Sequence, residues 1–246
     1  MYSTISFVLA LAATVAVSLP SPMNRREVRV AARQSNNELT ETFAGAFLTT
    51  TTGTITSASA SFSVPGVKTP AGGDFAATAS VFVGLGMDMF QCSNSFMGGI
   101  IASTNSGSST FAAVGIESDG QIIDIPNFIV SAGDDITMSI NATDSTTGTV
   151  HILNQNTGGI VSLDIPTDTV CSGTVSWLVT DLVFGGNLAP LAAFGTVDFV
   201  DASAQTSSGP LDLSGATVLD MIQNNVVLTS STLTSSTVSV LDLNAV

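Results

Sequence analysis

The stretch SASASFSV, residues 57–64, decides the fold class of this chain of 246 residues. Serine occupies every odd position of the stretch, and the even positions hold Ala58, Ala60, Phe62 and Val64. Successive side chains of a β-strand point to opposite faces of a sheet. The stretch therefore predicts a strand with one face in an apolar core and one face of hydroxyl groups.

The same alternation recurs in residues 136–142, 175–183 and 237–240. Turn residues separate these stretches, for example at Pro65-Gly66 and Gly158-Gly159. Thr, Ser, Val and Gly are abundant, whereas the strong helix formers Lys, Glu and Arg are scarce. Many short strands with turns at short intervals predict an all-β sandwich or barrel of antiparallel strands.

The N-terminal residues have the pattern of a targeting segment. Residues 1–18 form an apolar run that ends in small residues, which predicts a signal peptide and is too short for a membrane-spanning helix. Residues 19–33 hold four of the five basic residues and are interpreted as a short basic propeptide. We therefore expect a secreted, extracellular protein whose single domain comprises residues 34–246.

The charge of the chain excludes several partners. Its formal net charge is −14, and Lys68 is the only Lys or Arg after residue 33. A surface this acidic has the wrong sign to bind nucleic acid or an anionic membrane. Protonation of the carboxylates would relieve their mutual repulsion, which favours acidic surroundings.

Candidate residues for common hydrolase and metal sites are few. The single histidine, His151, lies in an alternating strand, and no Gly-x-Ser-x-Gly motif accompanies it, so a Ser-His-Asp hydrolase is not indicated. Neither the number nor the spacing of one His and two Cys fits a zinc site, and we expect no metal and no cofactor. The acidic residues at 117–120 and at Asp134-Asp135 lack EF-hand spacing and are interpreted as turns.

Five segments carry a family resemblance: TFAGA at 42–46, FVGLG at 82–86, SAGD at 131–134, WLVTDL at 177–182 and APLAAFGTV at 189–197. In this order and spacing, together with the two cysteines, they resemble segments of the fungal glutamic peptidases (peptidase G1 family, or eqolisins). The resemblance implies two large, curved antiparallel sheets in a concanavalin A-like jelly-roll sandwich. It also implies a substrate groove on the concave face.

The catalytic residues of that family are substituted here. The family's Gln follows its first motif cysteine by six residues, and counting from Cys92 gives Gly98, or Met97 with a one-residue gap. The family's Glu follows the second cysteine by nine residues, and counting from Cys171 gives Thr180. A Thr cannot replace Glu as the general base, and a Gly has no amide to stabilise an oxyanion.

The resemblance thus implies a peptidase-like protein whose activity is impaired or lost, with a groove that keeps a peptide or another polymer such as a polysaccharide as partner. Two alternatives stay open: an active acid endopeptidase with a relocated dyad, and a carbohydrate-binding module, which rests on fold analogy alone. For a relocated amide, the sequence offers Gln91, Gln121 and Gln155 without motif support.

Further site residues follow from the same alignment. Phe43 and Phe82 replace tryptophans of the family's groove, Glu117 aligns with a groove Glu if one turn residue is deleted, and Ser176 shares a strand face with Thr180. The two cysteines match paired positions of the family, so in an oxidising compartment we expect a Cys92–Cys171 disulfide. The lone sequon predicts glycosylation at Asn141. We expect a monomer.

Overall fold

The alternating stretches form β-strands in the computed structural model, which describes residues 37–51, 53–70, 76–86, 95–117, 120–166, 172–184 and 187–244. The strands are β1 Glu38–Thr40, β2 Phe43–Thr49, β3 Ile55–Ser63, β4 Ala77–Leu85, β5 Phe96–Asn105, β6 Ser108–Ile116, β7 Ile122–Asp124, β8 Asp135–Ala142, β9 Thr147–Asn154, β10 Ile160–Pro166, β11 Thr174–Thr180, β12 Val183–Phe184, β13 Asn187–Leu188, β14 Thr196–Thr206, β15 Gly209–Leu211, β16 Thr217–Gln223, β17 Val226–Val227, β18 Thr229–Leu233 and β19 Val238–Asp242. Within these ranges the helical structure is a single 3-10 turn, Leu213–Gly215.

Two sheets contain nearly all of these strands. The first sheet has the order β1-β16-β2-β11-β4-β5-β6-β7, with β17 paired to β16. The second has the order β10-β9-β8-β3-β14-β19-β18, with β15 paired to β14, and β12 and β13 form a separate small hairpin. Neighbouring strands run antiparallel in the described residues except β1 and β16, which are parallel. The predicted all-β antiparallel sandwich is confirmed.

The strand predicted from residues 57–64 is β3, and its burial follows the sequence pattern. Ala58, Ala60 and Phe62 are buried, while the serines between them are more exposed. The stretch predicted over residues 175–183 is shorter in the structure: β11 ends at Thr180. The chain leaves the sheet there, and the backbone N–H of Asp181 donates to the carbonyl oxygen of Thr42 at 2.9 Å.

The inner faces of the two sheets share one apolar core. Trp177, the largest fully buried side chain, lies in it, and its indole Nε1 donates to the carbonyl oxygen of Ser59 in the second sheet at 3.1 Å. The rings of Phe62 and Phe199 pack with their centroids 5.7 Å apart. Such burial of aromatic and branched side chains supplies most of the stabilisation of a sandwich.

A second apolar cluster lies on the opposite, outer face of the first sheet. Phe82, Val114 and Ile116 form its centre, and Met97, Ile101 and Leu182 pack around them. We call these six residues the outer cluster. β4 and β11 are buried on both faces along their whole length. Among the residues described, no helix has the length and hydrophobicity needed to cross a membrane.

Candidate functional site

The outer face of β11 carries Thr180, the residue that counting from Cys171 assigns to the position of the family's glutamate. Val175, Trp177 and Val179 point into the core between the sheets. Alternation therefore turns Ser176 and Thr180 toward the outer face, as the sequence predicts. Both side chains are buried, at 1% and 3% exposure, so their hydroxyl groups are removed from bulk water.

The hydroxyl groups of Ser80 and Thr78 lie on the same outer face as Thr180. Ser80 of β4 pairs directly with Thr180, and Thr78 follows on the same face of β4. Directly paired residues have Cβ atoms about 4.5–5.5 Å apart. Within the described part of the chain, the hydroxyl oxygens of Thr78, Ser80 and Thr180 are buried and have no hydrogen-bond partner. We call these three hydroxyls, with the adjoining carboxyl of Asp181, the hydroxyl recess.

Asp181 brings a carboxyl group to the edge of this recess. Its side chain is 3% exposed, and burial raises its pKa to about 6, although the Gln223 amide, the Thr78 hydroxyl and the Leu182 backbone N–H offset part of the rise. Its Oδ2 accepts a hydrogen bond from Nε2 of Gln223 at 2.8 Å. Its Oδ1 has no hydrogen-bond partner in the described residues, although the Thr78 hydroxyl lies near enough to lower the pKa of the carboxyl.

Gln223 of β16 therefore forms a carboxyl–amide pair with Asp181, the same two functional groups as the family's Gln and Glu. The amide nitrogen has two hydrogens. It donates to Asp181 Oδ2 and also, at 3.0 Å, to the carbonyl oxygen of Glu41. Both donors are thus committed, and the amide cannot bind a developing oxyanion unless one of these bonds breaks.

The structure places the two counted positions for the family's glutamine on opposite faces of the first sheet. Gly98 faces the core, because a Cβ at this position would overlap Val150 of β9 in the second sheet. The alternative position, Met97, packs in the outer cluster and so lies on the face that carries Thr180. A count of six residues from Cys92 thus reaches a core-facing position, and Cys92 itself belongs to residues 87–94, which lie outside the described residues.

The conclusion about the amide does not depend on the register. The outer positions of β5 are Met97, Gly99, Ile101, Ser103 and Asn105, of which Ile101 and Ser103 pair with Ser80 and Thr78 of the recess, and β5 contains no Gln at all. Ile101 pairs with Ser80, which pairs with Thr180, so these three share one row across the sheet. The space above Gly99 is filled by the ring of Phe82, which a Cβ there would overlap.

The candidate groove residues Phe82, Phe43 and Ser176 differ in their burial and in their distance from Thr180. Phe82 is 1% exposed at the centre of the outer cluster and does not form an open wall. Phe43 is half-buried and pairs with Thr180, so it borders the recess. Ser176 is buried on the same outer face of β11 as Thr180. It lies four residues before Thr180, which is roughly 13 Å along the strand.

Glu117 lies at the far end of the outer face. It follows the last residue of β6, Ile116, whose row contains Met97 rather than Ile101. The row of Thr180 crosses β6 at Ala112, about 17 Å away along the strand. Glu117 caps the turn toward β7, where its N–H donates to the carbonyl oxygen of Gln121 at 3.0 Å. The structure therefore does not bring Glu117 to the recess.

The other candidate residues lie on the second sheet or outside the residues that the structure describes. His151 is exposed, with Nδ1 2.6 Å from the Ser162 hydroxyl. Asn141 is half-buried on β8. Cys92 and Cys171 lie outside the described residues, so their pairing stays a prediction. Among the residues described, no group of three or more His, Cys, Asp or Glu side chains could hold a metal ion.

Comparison with known proteins identifies the family. Residues 41–241 match the model of the peptidase A4 family. The chain belongs to the peptidase A4 family. These are the glutamic peptidases, or eqolisins, and the resemblance seen in the sequence is confirmed.

The individual relatives of this A4 chain are distant. Aspergillopepsin-2 of Aspergillus niger is 31% identical over 121 residues, which cover 48% of this chain and 43% of that protein. The chain spans less than half the length of the curated relatives that it matches. The structure of scytalido-glutamic peptidase with a peptide-based transition state analogue is 25% identical, with a TM-score of 0.71, and covers 82% of this chain and 98% of that one. A member of the eqolisin family in complex with the tripeptide Ala-Ile-His gives 25% identity and a TM-score of 0.69, with the same coverage.

Sequence reasoning missed Gln223, Ser80 and Thr78. Asp181 was visible as the residue next to Thr180, but alternation alone would have sent it into the core. Gln223 is separated from Asp181 by 42 positions in the chain, and no motif marks it. The one signal for Ser80 and Thr78 is that hydroxyl residues interrupt the otherwise apolar residues 77–85, and that pattern is common in strands.

Proposed function

We propose that this A4 family member is a secreted protein whose outer sheet face binds an extended peptide without hydrolysing it through the family's Gln–Glu dyad. One observation carries the proposal: around the row of Thr180, the outer positions of β5 and β11 hold neither an amide nor a carboxylate. They are Met97, Gly99, Ile101, Ser103, Ser176, Leu178 and Thr180, and the one amide on that face of β5, Asn105, lies at the hairpin end about 13 Å along the strand from Ile101. Secretion is supported by the signal-peptide pattern of residues 1–18.

The Asp181–Gln223 pair does not supply the missing chemistry. A general base must be ionised and must reach the attacking water. Below pH 6 most Asp181 carboxyls are protonated, and the side chain is almost fully buried. An oxyanion donor must be free to meet the developing charge. Both hydrogens of the Gln223 amide are already bonded within the protein.

Peptide binding without hydrolysis is tested with two measurements on the wild-type protein. The purified protein is incubated from pH 3 to 7 with a reduced, carboxymethylated polypeptide, and we expect no cleavage above the buffer control. Calorimetry with acetyl-Ala-Ala-Ile-Ala-Ala-amide, which has no titratable group, should give saturable binding. Pepstatin-insensitive cleavage that disappears in Asp181→Asn would instead show a relocated active site, and absence of binding would contradict the peptide groove.

Restoring the dyad sharpens the same test. Thr180 and Ile101 lie in one row with Ser80 between them, about 10 Å apart between strand axes. Glu and Gln side chains are long enough to meet across that distance. We expect the double variant Thr180→Glu/Ile101→Gln to gain measurable cleavage. Each single variant is the matched control and should stay inactive, because base and oxyanion donor act as a unit.

A further inference from the structure

The strand at one end of the second sheet, β10, has an unpaired edge in the described part of the chain. It pairs with β9 on one side and ends the strand order on the other. The strands at the other sheet ends are shorter: β1 and β7 have three residues each, and β18 has five. An edge strand exposes backbone N–H and C=O groups that can pair with another chain, and proteins usually protect such edges with short strands, Lys, Pro or β-bulges.

β10 lacks these protections along most of its length. It has seven residues, and its register with β9 continues without a shift from Ile160 to Pro166. It contains no Lys or Arg, Asp164 is its only charged residue, and its one Pro occupies the last position. A regular and nearly uncharged edge of this length predicts pairing with another strand.

Apolar side chains at this edge are incompletely covered. Val161 and Leu163 pack against the core but are only half-buried. On the opposite face, Ile160 is 75% exposed. Ile129, which is 74% exposed, lies near the same end of the hairpin, because its carbonyl oxygen accepts from Nδ2 of Asn154 at the end of β9. A strand added outside β10 would cover Val161 and Leu163 on the core face and Ile160 on the outer face.

The core face of β10 is complementary to itself in the antiparallel direction. A two-fold axis at Leu163 places this residue opposite its own copy and places Val161 opposite Ile165 of the second copy. Directly opposed residues of an antiparallel pair lie on the same face of a sheet. Half-buried apolar side chains of one copy would therefore meet apolar side chains of the other, and the core would continue across the contact.

The outer face of β10 is complementary about the same axis. Ile160 lies opposite Pro166 of the second copy, so an exposed apolar side chain gains an apolar partner. Asp164 lies opposite Ser162, so each carboxylate faces a neutral hydroxyl. An axis at Asp164 would instead place two like charges directly opposite each other, which is destabilising, and an axis at Ser162 would place each carboxylate opposite Ile160.

We propose that two copies of this chain pair through β10, in antiparallel orientation about a two-fold axis at Leu163, and so join their second sheets into one. This dimer takes the place of the monomer expected from the sequence. The contact is one seven-residue strand on each copy, which is small for a protein interface, so association is weak and depends on concentration. The formal net charge of −14 on each copy opposes association, and salt screens this repulsion.

Sedimentation velocity of the purified protein at pH 7, in about 0.3 M NaCl to screen the repulsion, measures the association. We expect the wild-type sedimentation coefficient to rise from the monomer value toward the dimer value between about 10 μM and 1 mM. Ser162→Asp should weaken the dimer about tenfold, because each new carboxylate faces Asp164 of the other copy. The double variant Ser162→Asp/Asp164→Lys should restore the dimer, because the opposed residues then carry opposite charges.

Ser203→Asp is the matched control. It adds the same charge at an exposed position of β14, four strands from β10 in the same sheet, and should leave association unchanged. Circular dichroism shows whether each variant is folded. If Ser162→Asp does not fold, Ile160→Ser replaces it, since it removes the apolar contact with Pro166 at a 75% exposed position and should weaken the dimer about fivefold.

Three results would overturn the proposal or part of it. A wild-type protein that stays monomeric over the whole concentration range refutes the dimer. Association that is unchanged in folded Ser162→Asp, or in Ile160→Ser where that variant replaces it, refutes β10 as the contact. Association that is weakened by Ser162→Asp and not restored in the folded double variant refutes the axis at Leu163.

Discussion

The Ser and Thr hydroxyls on the outer faces of the two sheets differ in their burial and in their hydrogen bonding. On the second sheet, Ser and Thr hydroxyls lie near water and pair with one another, as Ser59 does with Ser203 at 3.0 Å and Thr143 with Thr149 at 2.7 Å. On the first sheet, the hydroxyls of the recess are buried and unpaired in the described residues. Ser and Thr content alone would not distinguish these faces.

This difference determines which face lowers the stability of the folded protein. Exposed hydroxyls exchange water for a neighbour at little net change in free energy. A buried hydroxyl without a partner loses its hydration and gains nothing, which costs about 1–3 kcal/mol. The second sheet therefore has an ordinary solvated face, and the first sheet has the face where a ligand would improve the energy balance.

The largest expected effect tests which face residue 98 occupies. Gly98→Gln should lower the free energy of unfolding by about 4 kcal/mol or more, because the side chain would overlap Val150 and bury an amide in the core. Met97→Gln, one residue earlier on the outer face, should cost about 1 kcal/mol through lost apolar contact. Urea unfolding of both variants measures the difference, and equal losses would contradict the inner position of residue 98.

Two buried aspartates provide the next comparison. Asp242 is 2% exposed and satisfied, because its carboxylate accepts from the backbone N–H of Phe194 at 2.9 Å and of Asn244 at 2.7 Å. Asp242→Asn should therefore lower stability by about 2–3 kcal/mol at pH 7.5. Asp181→Asn should raise it by about 2 kcal/mol, since a neutral amide avoids burial of a poorly paired charge.

The effect at Asp181 depends on pH in a defined direction. Its pKa is raised from 3.8 to about 6 in the folded protein, so protonation favours the folded state. The stabilisation is complete below pH 3.8 and is lost as the pH rises through 6. The shift corresponds to about 3 kcal/mol, part of which solvent screens. Asp181→Asn should thus gain stability over wild type at pH 7.5 and not at pH 3.5, and a gain independent of pH would contradict burial of the charge.

The sequence predicted the fold better than the site for a physical reason. Alternation in residues 57–64 reports burial at every second position, and β3 confirms it. The recess depends on register instead: Thr180 meets Ser80 only through the pairing of β11 with β4, and Gln223 reaches Asp181 from β16. Counting from Cys92 left Gly98 and Met97 as alternatives, and that difference of one residue moves the side chain from the core face to the outer face of the sheet.

The smallest expected effect compares one serine from each outer face. Ser176→Ala removes a buried, unpaired hydroxyl from the first sheet and should raise the free energy of unfolding by about 1 kcal/mol. Ser61→Ala removes a hydroxyl that pairs with Thr137 at 2.9 Å on the second sheet and should lower it by about 0.5 kcal/mol or less. The loss stays small because Thr137 also accepts from Gln155 at 2.7 Å. Urea unfolding of both variants gives the sign of each change in the free energy of unfolding. Destabilisation by Ser176→Ala would mean that the Ser176 hydroxyl already has a hydrogen-bond partner. The contrast between the two faces would then be confined to the recess.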